Sequence, residues 1–393
     1  MAEGTPYRIQ TLNSISAKGL ARLPPERYQV GAAVAAPHAI LVRSADMHAL
    51  EIAPQVRAIA RAGAGVNNIP VERLSARGIP VFNAPGANAN AVKELVLAGL
   101  LLAARNIAPA WLFVRGLTGD EAAIEAAVEA GKKAFVGFEL PGRTLGVVGL
   151  GAVGVEVANA ALALGMSVLG YDPQITVQRA WQLSASVAQA HSLEDLFARA
   201  DVISVHVPLN AATRHLVNAP RLALMREQAT ILNFARAGIV EEAAVLAALD
   251  GGRLHAYVCD FPSRALTPHP RVVTLPHLGA STGEAEENCA VMVIEQLRDF
   301  LENGNIRNSV NYPEAVLPRV PNTTRVAIAN SNVPNMVGQI STCLAAARLN
   351  IADLLNKSRG EYAYTLIDAD GAVSAELIAR LRAIDGVLTA HVL

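Results

Sequence analysis

The sequence has 393 residues, 52% of them hydrophobic, and its acidic and basic side chains nearly cancel at a formal charge of -1. A chain this long exceeds one ordinary core and implies two or three domains. Its charge balance excludes a global field that would draw it to nucleic acid or an anionic membrane, so any anion recognition is local. The three cysteines, Cys259, Cys289 and Cys343, are widely spaced and lack CxxC or His pairing. That argues against disulfides and against a metal site, and it fits a reducing cytoplasm.

The opening stretch MAEGTPYRIQTLNSIS is polar and has no apolar signal core, so no targeting segment is expected. Short apolar or β-branched runs then alternate with Ala-rich helical stretches, the pattern of an α/β fold with parallel sheets covered by helices. Strands are predicted at residues 39–42, 56–60 and 79–82. Their carboxyl ends should share one sheet edge, where open α/β sheets bind ligands, so Arg43, Arg61 and Asn83 are placed to converge. Two arginines there imply an anionic substrate. Residues 89–105 form a helix apolar almost all round, buried inside the chain or against a second subunit. Its most apolar part, residues 95–104, is about half the length a bilayer requires, so no membrane span is expected.

A second βα series follows Gly142. LGVVGLGAVG places GxGxxG at Gly149, Gly151 and Gly154, directly after an apolar strand and before a helix over residues 155–164. The first glycine makes the tight turn, the second admits a pyrophosphate to the backbone, and the third lets the helix pack on the strand. The next strand ends in Tyr171-Asp172-Pro173, which puts a carboxylate about twenty residues downstream, where a ribose diol is read. Asp172 would repel a 2′-phosphate and no arginine follows it, so NAD is favoured over NADP. Two further strand ends carry Arg236 and His277, both expected to face the nicotinamide. A helix over residues 284–303 leads into the Pro-punctuated linker SVNYPEAVLPRVPN. Residues 324–393 then read strand, helix, strand, strand, helix, strand, with 363–367 and 386–392 among the strands, as in a ferredoxin-like module.

The stretches RAGAGVNNIP, VFNAPGANANAVKELVLAG, TLGVVGLGAVG with YDP, HVPL, NFARAGIVEE, DFP, PHLGAS and QLRDFLENGNIRNSVN occur in that order over most of residues 7–311. Together they resemble the D-2-hydroxy-acid dehydrogenase family, its phosphoglycerate dehydrogenase branch in particular. Such chemistry requires a cation to clamp the substrate carboxylate, which the planar fork of Arg236 offers. It also requires a base for the hydroxyl proton, a part the imidazole of His277 can take in either direction of the reaction. The resemblance assigns them those roles. It further implies substrate contacts from Arg43, Arg61, Asn83 and Asn88. Cofactor contacts would come from Gly149, Gly151, Ala152, Val153, Gly154, Asp172, Val207, Ala235, Asp260 and Gly279. The implied reaction is the NAD-dependent oxidation of D-3-phosphoglycerate to 3-phosphohydroxypyruvate, the first step of serine biosynthesis, in a cytoplasmic homodimer or homotetramer. A dehydrogenase for another D-2-hydroxy acid is the alternative, with Arg43 and Arg61 as the discriminating pair. One departure stands out: where the family carries a glutamate that orients the histidine this chain reads Ser263-Arg264-Ala265, which implies either a slowed enzyme or a replacement acid such as Glu284. A weakly active NAD-binding sensor is therefore a second alternative.

ANSNVPNMVGQISTCLAAARLNIADLLNKSRGEYAYTLID resembles an ACT domain. The resemblance implies that Asn332 and Asn350 bind an effector such as L-serine, since an amide can both donate to a carboxylate and accept from an ammonium. Edge-to-edge pairing of two such sheets would join subunits. The expected organisation is a substrate domain from residues 1–87 and 278–312, an NAD domain over 88–277 and the ACT unit over 319–393.

Overall fold

The computed structural model describes residues 6–393; the first five residues of the polar N-terminal stretch lie outside the described residues. Two units divide the chain, one made of the residues up to Asn88 with Gly283–Leu393, the other of Ala89–Thr282.

In the first unit, β1 (Tyr7–Leu12), β2 (Tyr28–Gly31), β3 (Ala39–Val42), β4 (Ala58–Arg61) and β5 (Val81–Phe82) pair in parallel in the order β2-β1-β3-β4-β5. The direction of travel reverses between β1 and β3, as in a doubly wound sheet. All four residues of β3 are buried, because a parallel strand covered on both faces is apolar throughout rather than alternating. One cover is the helix Gly283–Asn303, whose Val293, Ile294 and Leu297 share a core with Ile9, Leu41 and Ala60.

The second unit holds β6 (Thr144–Val148), β7 (Ser167–Tyr171), β8 (Ala188–Gln189), β9 (Val202–Val205), β10 (Ala229–Asn233), β11 (Leu254–Cys259) and β12 (Val272–Thr274). They are parallel, in the order β12-β11-β10-β9-β6-β7-β8, with the reversal between β6 and β9. The helix Ala89–Ala104 belongs here: Val92, Val96 and Leu100 pack with Val147, Leu232 and Val258. Its apolar character thus serves this unit's own core. The next helix, Ile107–Arg115, is the one that leaves Trp111, Leu112 and Val114 exposed. Among the described residues no single helix is long and apolar enough to cross a membrane. The crossing back to the first unit falls after Thr282 rather than at His277. The Leu278-Gly279 loop is held to the second unit because Gly279 N donates to Asp260 Oδ2 at 3.3 Å.

The C-terminal module is an antiparallel sheet of β13 (Thr323–Ser331), β14 (Ile351–Arg359), β15 (Tyr362–Asp370) and β16 (Val387–Val392) in the order β14-β15-β13-β16. Helices Met336–Ala346 and Ala375–Arg382 complete the βαββαβ arrangement. It has its own core around Ile328, Ile340 and Leu381. Its other sheet face, through Ala327, Tyr364 and Leu366, shares a core with Phe82 and Phe300 of the first unit. A fully buried ion pair locks the junction. Arg325 donates to both carboxylate oxygens of Asp368, at 2.7 and 2.6 Å, and to the carbonyls of Leu317 and Asn303 at 2.7 and 3.2 Å.

Candidate active site

In the second unit the glycine loop leaves β6 at the reversal of strand order, the place where open α/β sheets bind their ligands. Gly149 has φ +91°, and a Cβ there would meet His206 O of the neighbouring strand end at 2.6 Å. A Cβ on Gly154 would lie 1.9 Å from Gly149 O, so the helix Ala152–Ala163 can approach only without a side chain. Gly151, by contrast, faces open space with nothing within 4 Å. It caps the helix with no side-chain hydrogen bond, which leaves the helix-terminal amides of Ala152 and Val153 available to an anion. Asp172, at the end of β7, accepts Leu150 N and Gln174 N at 2.8 Å each. Its carboxylate is therefore fixed beside the glycine loop.

The other strand ends complete this half. Beyond β10, Asn233 is fully buried. Its amide donates to Arg236 O at 3.0 Å and its Oδ1 accepts Ala235 N at 3.1 Å. The loop carrying Ala235 and Arg236 is thus built on this one side chain, which sequence reading passed over; the N of NFAR was its only signal. Arg236 Nη1 donates to Ala235 O at 2.6 Å. Val207 follows β9 and touches the space above Gly149. His277 is exposed, edge-on to Phe261 with ring centroids 5.1 Å apart. Asp260 follows β11 and is buried, with Oδ1 lacking any partner. Burial pushes its carboxyl up, while the His277 charge and the Gly279 amide pull it down. An orphaned acceptor at the strand edge and an open glycine cradle fit a dinucleotide whose carboxamide end would supply a donor.

Where the orienting glutamate was expected, Ser263 Oγ donates to Glu242 Oε2 at 2.8 Å and accepts Leu266 N at 3.2 Å, and Arg264 is exposed. Among the described residues no carboxylate hydrogen-bonds the His277 ring. Glu284 is exposed at the start of its helix in the first unit.

In the first unit Arg43, Arg61 and Asn83 lie at the carboxyl ends of three successive strands, β3, β4 and β5. Arg43 pairs with Glu286. Arg61 Nε donates to Asn68 Oδ1 at 3.1 Å, and Asn68 in turn donates to Ala45 O at 2.7 Å and Arg43 O at 3.4 Å. Asn68, inside the RAGAGVNNIP stretch, therefore couples the two arginine loops, a role not visible without the fold. Burial pushes the Cys289 thiol up, and the charges of Arg61 and Arg43 oppose it. Asn83 donates to Ala64 O at 2.6 Å; Asn88 closes the unit, half-buried.

In the C-terminal module Asn332 donates to Gly360 O at 3.0 Å and Asn350 to Asp370 Oδ2 at 2.9 Å. The register sets Ser331 opposite Tyr362 and Ile351 opposite Ala369. The two asparagines thus stand at opposite ends of the sheet, about 30 Å apart along β15, and one chain does not unite them. Among the described residues no group of three or more metal-ligating side chains occurs, and the three cysteines are free.

Residues 99–279 match the model of the D-isomer specific 2-hydroxyacid dehydrogenase, NAD binding domain. The chain is 33% identical over 356 residues to a D-3-phosphoglycerate dehydrogenase of Haemophilus influenzae, covering 88% of this chain and 83% of that one. It is 39% identical over 296 residues to a D-3-phosphoglycerate dehydrogenase of Mycobacterium tuberculosis, covering 73% of this chain and 53%, about half, of that longer one. A solved protein of Thermus thermophilus superposes with a TM-score of 0.61 at 28% identity, over 77% of this chain and 99% of its own. The chain belongs to the D-isomer specific 2-hydroxyacid dehydrogenase family, an NAD-dependent class of oxidoreductase.

Proposed function

We propose that within this family the chain is a D-3-phosphoglycerate dehydrogenase, oxidising D-3-phosphoglycerate to 3-phosphohydroxypyruvate as the entry to serine biosynthesis. The carrying observation is the pair Arg43 and Arg61, held at adjacent strand ends by one asparagine, which suits a phosphate better than a methyl or hydroxymethyl group. The similarity to the Haemophilus influenzae enzyme supports the same reading. In this scheme Arg236 clamps the substrate carboxylate and His277 takes the hydroxyl proton. Asn83 and Asn88 orient the carbon chain. The glycine loop and Asp172 would hold NAD, which would supply the hydride acceptor for C2. The remaining cofactor contacts are those of Gly149, Gly151, Ala152, Val153, Gly154, Val207, Ala235, Asp260 and Gly279.

Exposed Trp111, Leu112 and Val114 on one helix favour assembly into a homodimer or larger homo-oligomer, in a cytoplasmic setting. An effector such as L-serine that needs both Asn332 and Asn350 would require two copies of the chain, given their separation.

A second reading, an NAD-binding sensor of low turnover, is favoured by the missing carboxylate at Ser263-Arg264-Ala265. The deciding experiment follows NADH formation at alkaline pH with D-3-phosphoglycerate and product removal, with D-glycerate in parallel and with or without L-serine. Turnover that prefers the phosphorylated acid supports the dehydrogenase. Tight NAD binding without turnover on either acid moves the sensor to first place.

A further inference from the structure

Away from the catalytic residues, the first unit contains a cavity of about 580 Å³ between its parallel sheet and the C-terminal module. His38, Arg57 and Arg77 line it from the sheet side, Arg382 and His391 from the module, and no Asp or Glu lines it. Two of the arginines are tied to carbonyls. Arg77 donates to Ile52 O at 3.0 Å and Ala53 O at 3.4 Å, and Arg382 donates twice to Ala390 O, at 3.0 and 2.7 Å. Arg57 is different: its Nη1 is buried and has no hydrogen-bond partner. Leaving a guanidinium nitrogen dry and unpaired is costly, and packing five groups of one potential sign around one space adds repulsion. Chains ordinarily answer such a cluster with their own carboxylate, and here none is supplied.

We propose that this cavity is a second anion site, taking a small polyanion with a phosphate or carboxylate group that bridges the sheet and the C-terminal module. Its volume lies in the range of small-ligand sites. Arg57 and Arg77 hold the anion from the sheet side, and Arg382 and His391 carry its grip to the module, so occupancy holds the regulatory module against the substrate sheet. The free-state electrostatics agree. Burial, with Arg57 and Arg382 adding, pushes His391 down to about 3, and burial with Arg57 and Arg8 pushes His38 down to about 4. His38 Nδ1 accepts Arg8 N at 3.0 Å and its ring meets the edge of Tyr7, which keeps it neutral. An anion therefore recruits its proton at His391, whose charged neighbours are Arg57 and Arg382.

The site is independent of the dehydrogenase reading, and binding is measured without turnover. Inorganic phosphate and D-3-phosphoglycerate are titrated separately into the full chain, with calorimetry in two buffers of different ionisation enthalpy and Tm as readouts. The wild type is expected to bind with proton uptake and a rise in Tm, and Arg57→Met to weaken binding at least about tenfold. Gln55→Glu, an isosteric change on the cavity wall, supplies the missing carboxylate. It is expected to raise Tm without added anion and to abolish the response, which also decides the matter if Arg57→Met does not fold. An Arg57-dependent response to inorganic phosphate identifies free phosphate as the ligand chemistry, and one to D-3-phosphoglycerate alone identifies a phosphorylated acid. No response in the wild type, or equal responses in wild type, Arg57→Met and Gln55→Glu, overturns the proposal.

Discussion

A Cβ at residue 63 would stand 2.2 Å from Arg61 Nη1, so the guanidinium of Arg61 lies across space that only Gly63 leaves open. The obstructed atom is the tip of a flexible side chain, so Gly63→Ala displaces Arg61 and spares the fold. Stability should change by less than ~0.5 kcal/mol. Losing the charged contact to phosphate should lower kcat/KM for D-3-phosphoglycerate about 10- to 100-fold and leave activity on D-glycerate unchanged. Steady-state kinetics on both acids test this; equal losses would remove Arg61 from phosphate recognition.

Gly151 and Gly154 stand three residues apart and should fail in opposite ways. Gly151→Ala meets nothing within 4 Å, so Tm should hold while NADH affinity, followed by fluorescence titration, falls by at least about tenfold. Gly154→Ala drives a methyl to within 1.9 Å of Gly149 O and should lower Tm even without cofactor. A Gly151→Ala protein that binds NADH normally would place the pyrophosphate elsewhere.

Asn233→Ala removes the side chain that bridges Ala235 N and Arg236 O. Leaving those groups unpaired should cost about 1–3 kcal/mol of stability, and KM for the hydroxy acid should rise as Arg236 loses its support. Urea unfolding and kinetics read both effects. Stability lost with KM unchanged would make Asn233 a purely structural residue.

Ala265→Glu restores a carboxylate near the strand end that carries Asp260. An acid there favours imidazolium, so in the oxidative direction, where His277 must be neutral to accept a proton, the acid limb of the pH–rate profile should move to higher pH, with kcat raised by up to about tenfold. A profile superimposable on wild type would show that His277 has no missing partner at that position.

Asp368 carries a pH dependence of stability. Burial pushes its carboxyl up, but the hydrogen bonds from Arg325 outweigh that and hold it below its ordinary value of 3.8. A depressed carboxyl contributes stability that is fully present above the unfolded value and is lost as pH falls through the lower folded one. Unfolding free energy from this pair should therefore be level from neutral pH to about 4 and decline below it. Asp368→Asn, which leaves Arg325 buried and unpaired, should cost about 3–5 kcal/mol at neutral pH. Denaturant midpoints across that range check both, and an undiminished variant would show that water reaches Arg325.

The glycine turn, Asp172 and the strand-end placement of Arg236 and His277 were readable because each depends on a short local pattern: an apolar strand, a turn with set residue types, a helix. The same locality explains what was missed. Strands β1 and β2 are not distinguished by pattern from their surroundings, and Asn68, Gly63 and Asn233 act on residues whose nearness is created by the sheet. The effector role of Asn332 and Asn350 rests on the resemblance to an ACT domain, and only the strand register shows that one chain holds them at opposite ends of β15.

By itself the sequence determined the α/β class, the dinucleotide loop and the kinds of side chain at each strand end, because hydrophobic period and turn chemistry act over a few residues. Tertiary structure alone decided that Arg43 and Arg61 share one asparagine, that Asp260 keeps an orphaned oxygen, and that His38, Arg57, Arg77, Arg382 and His391 surround one cavity. Those facts depend on which distant segments pack together, and burial and charge become decisive only once packing has excluded water.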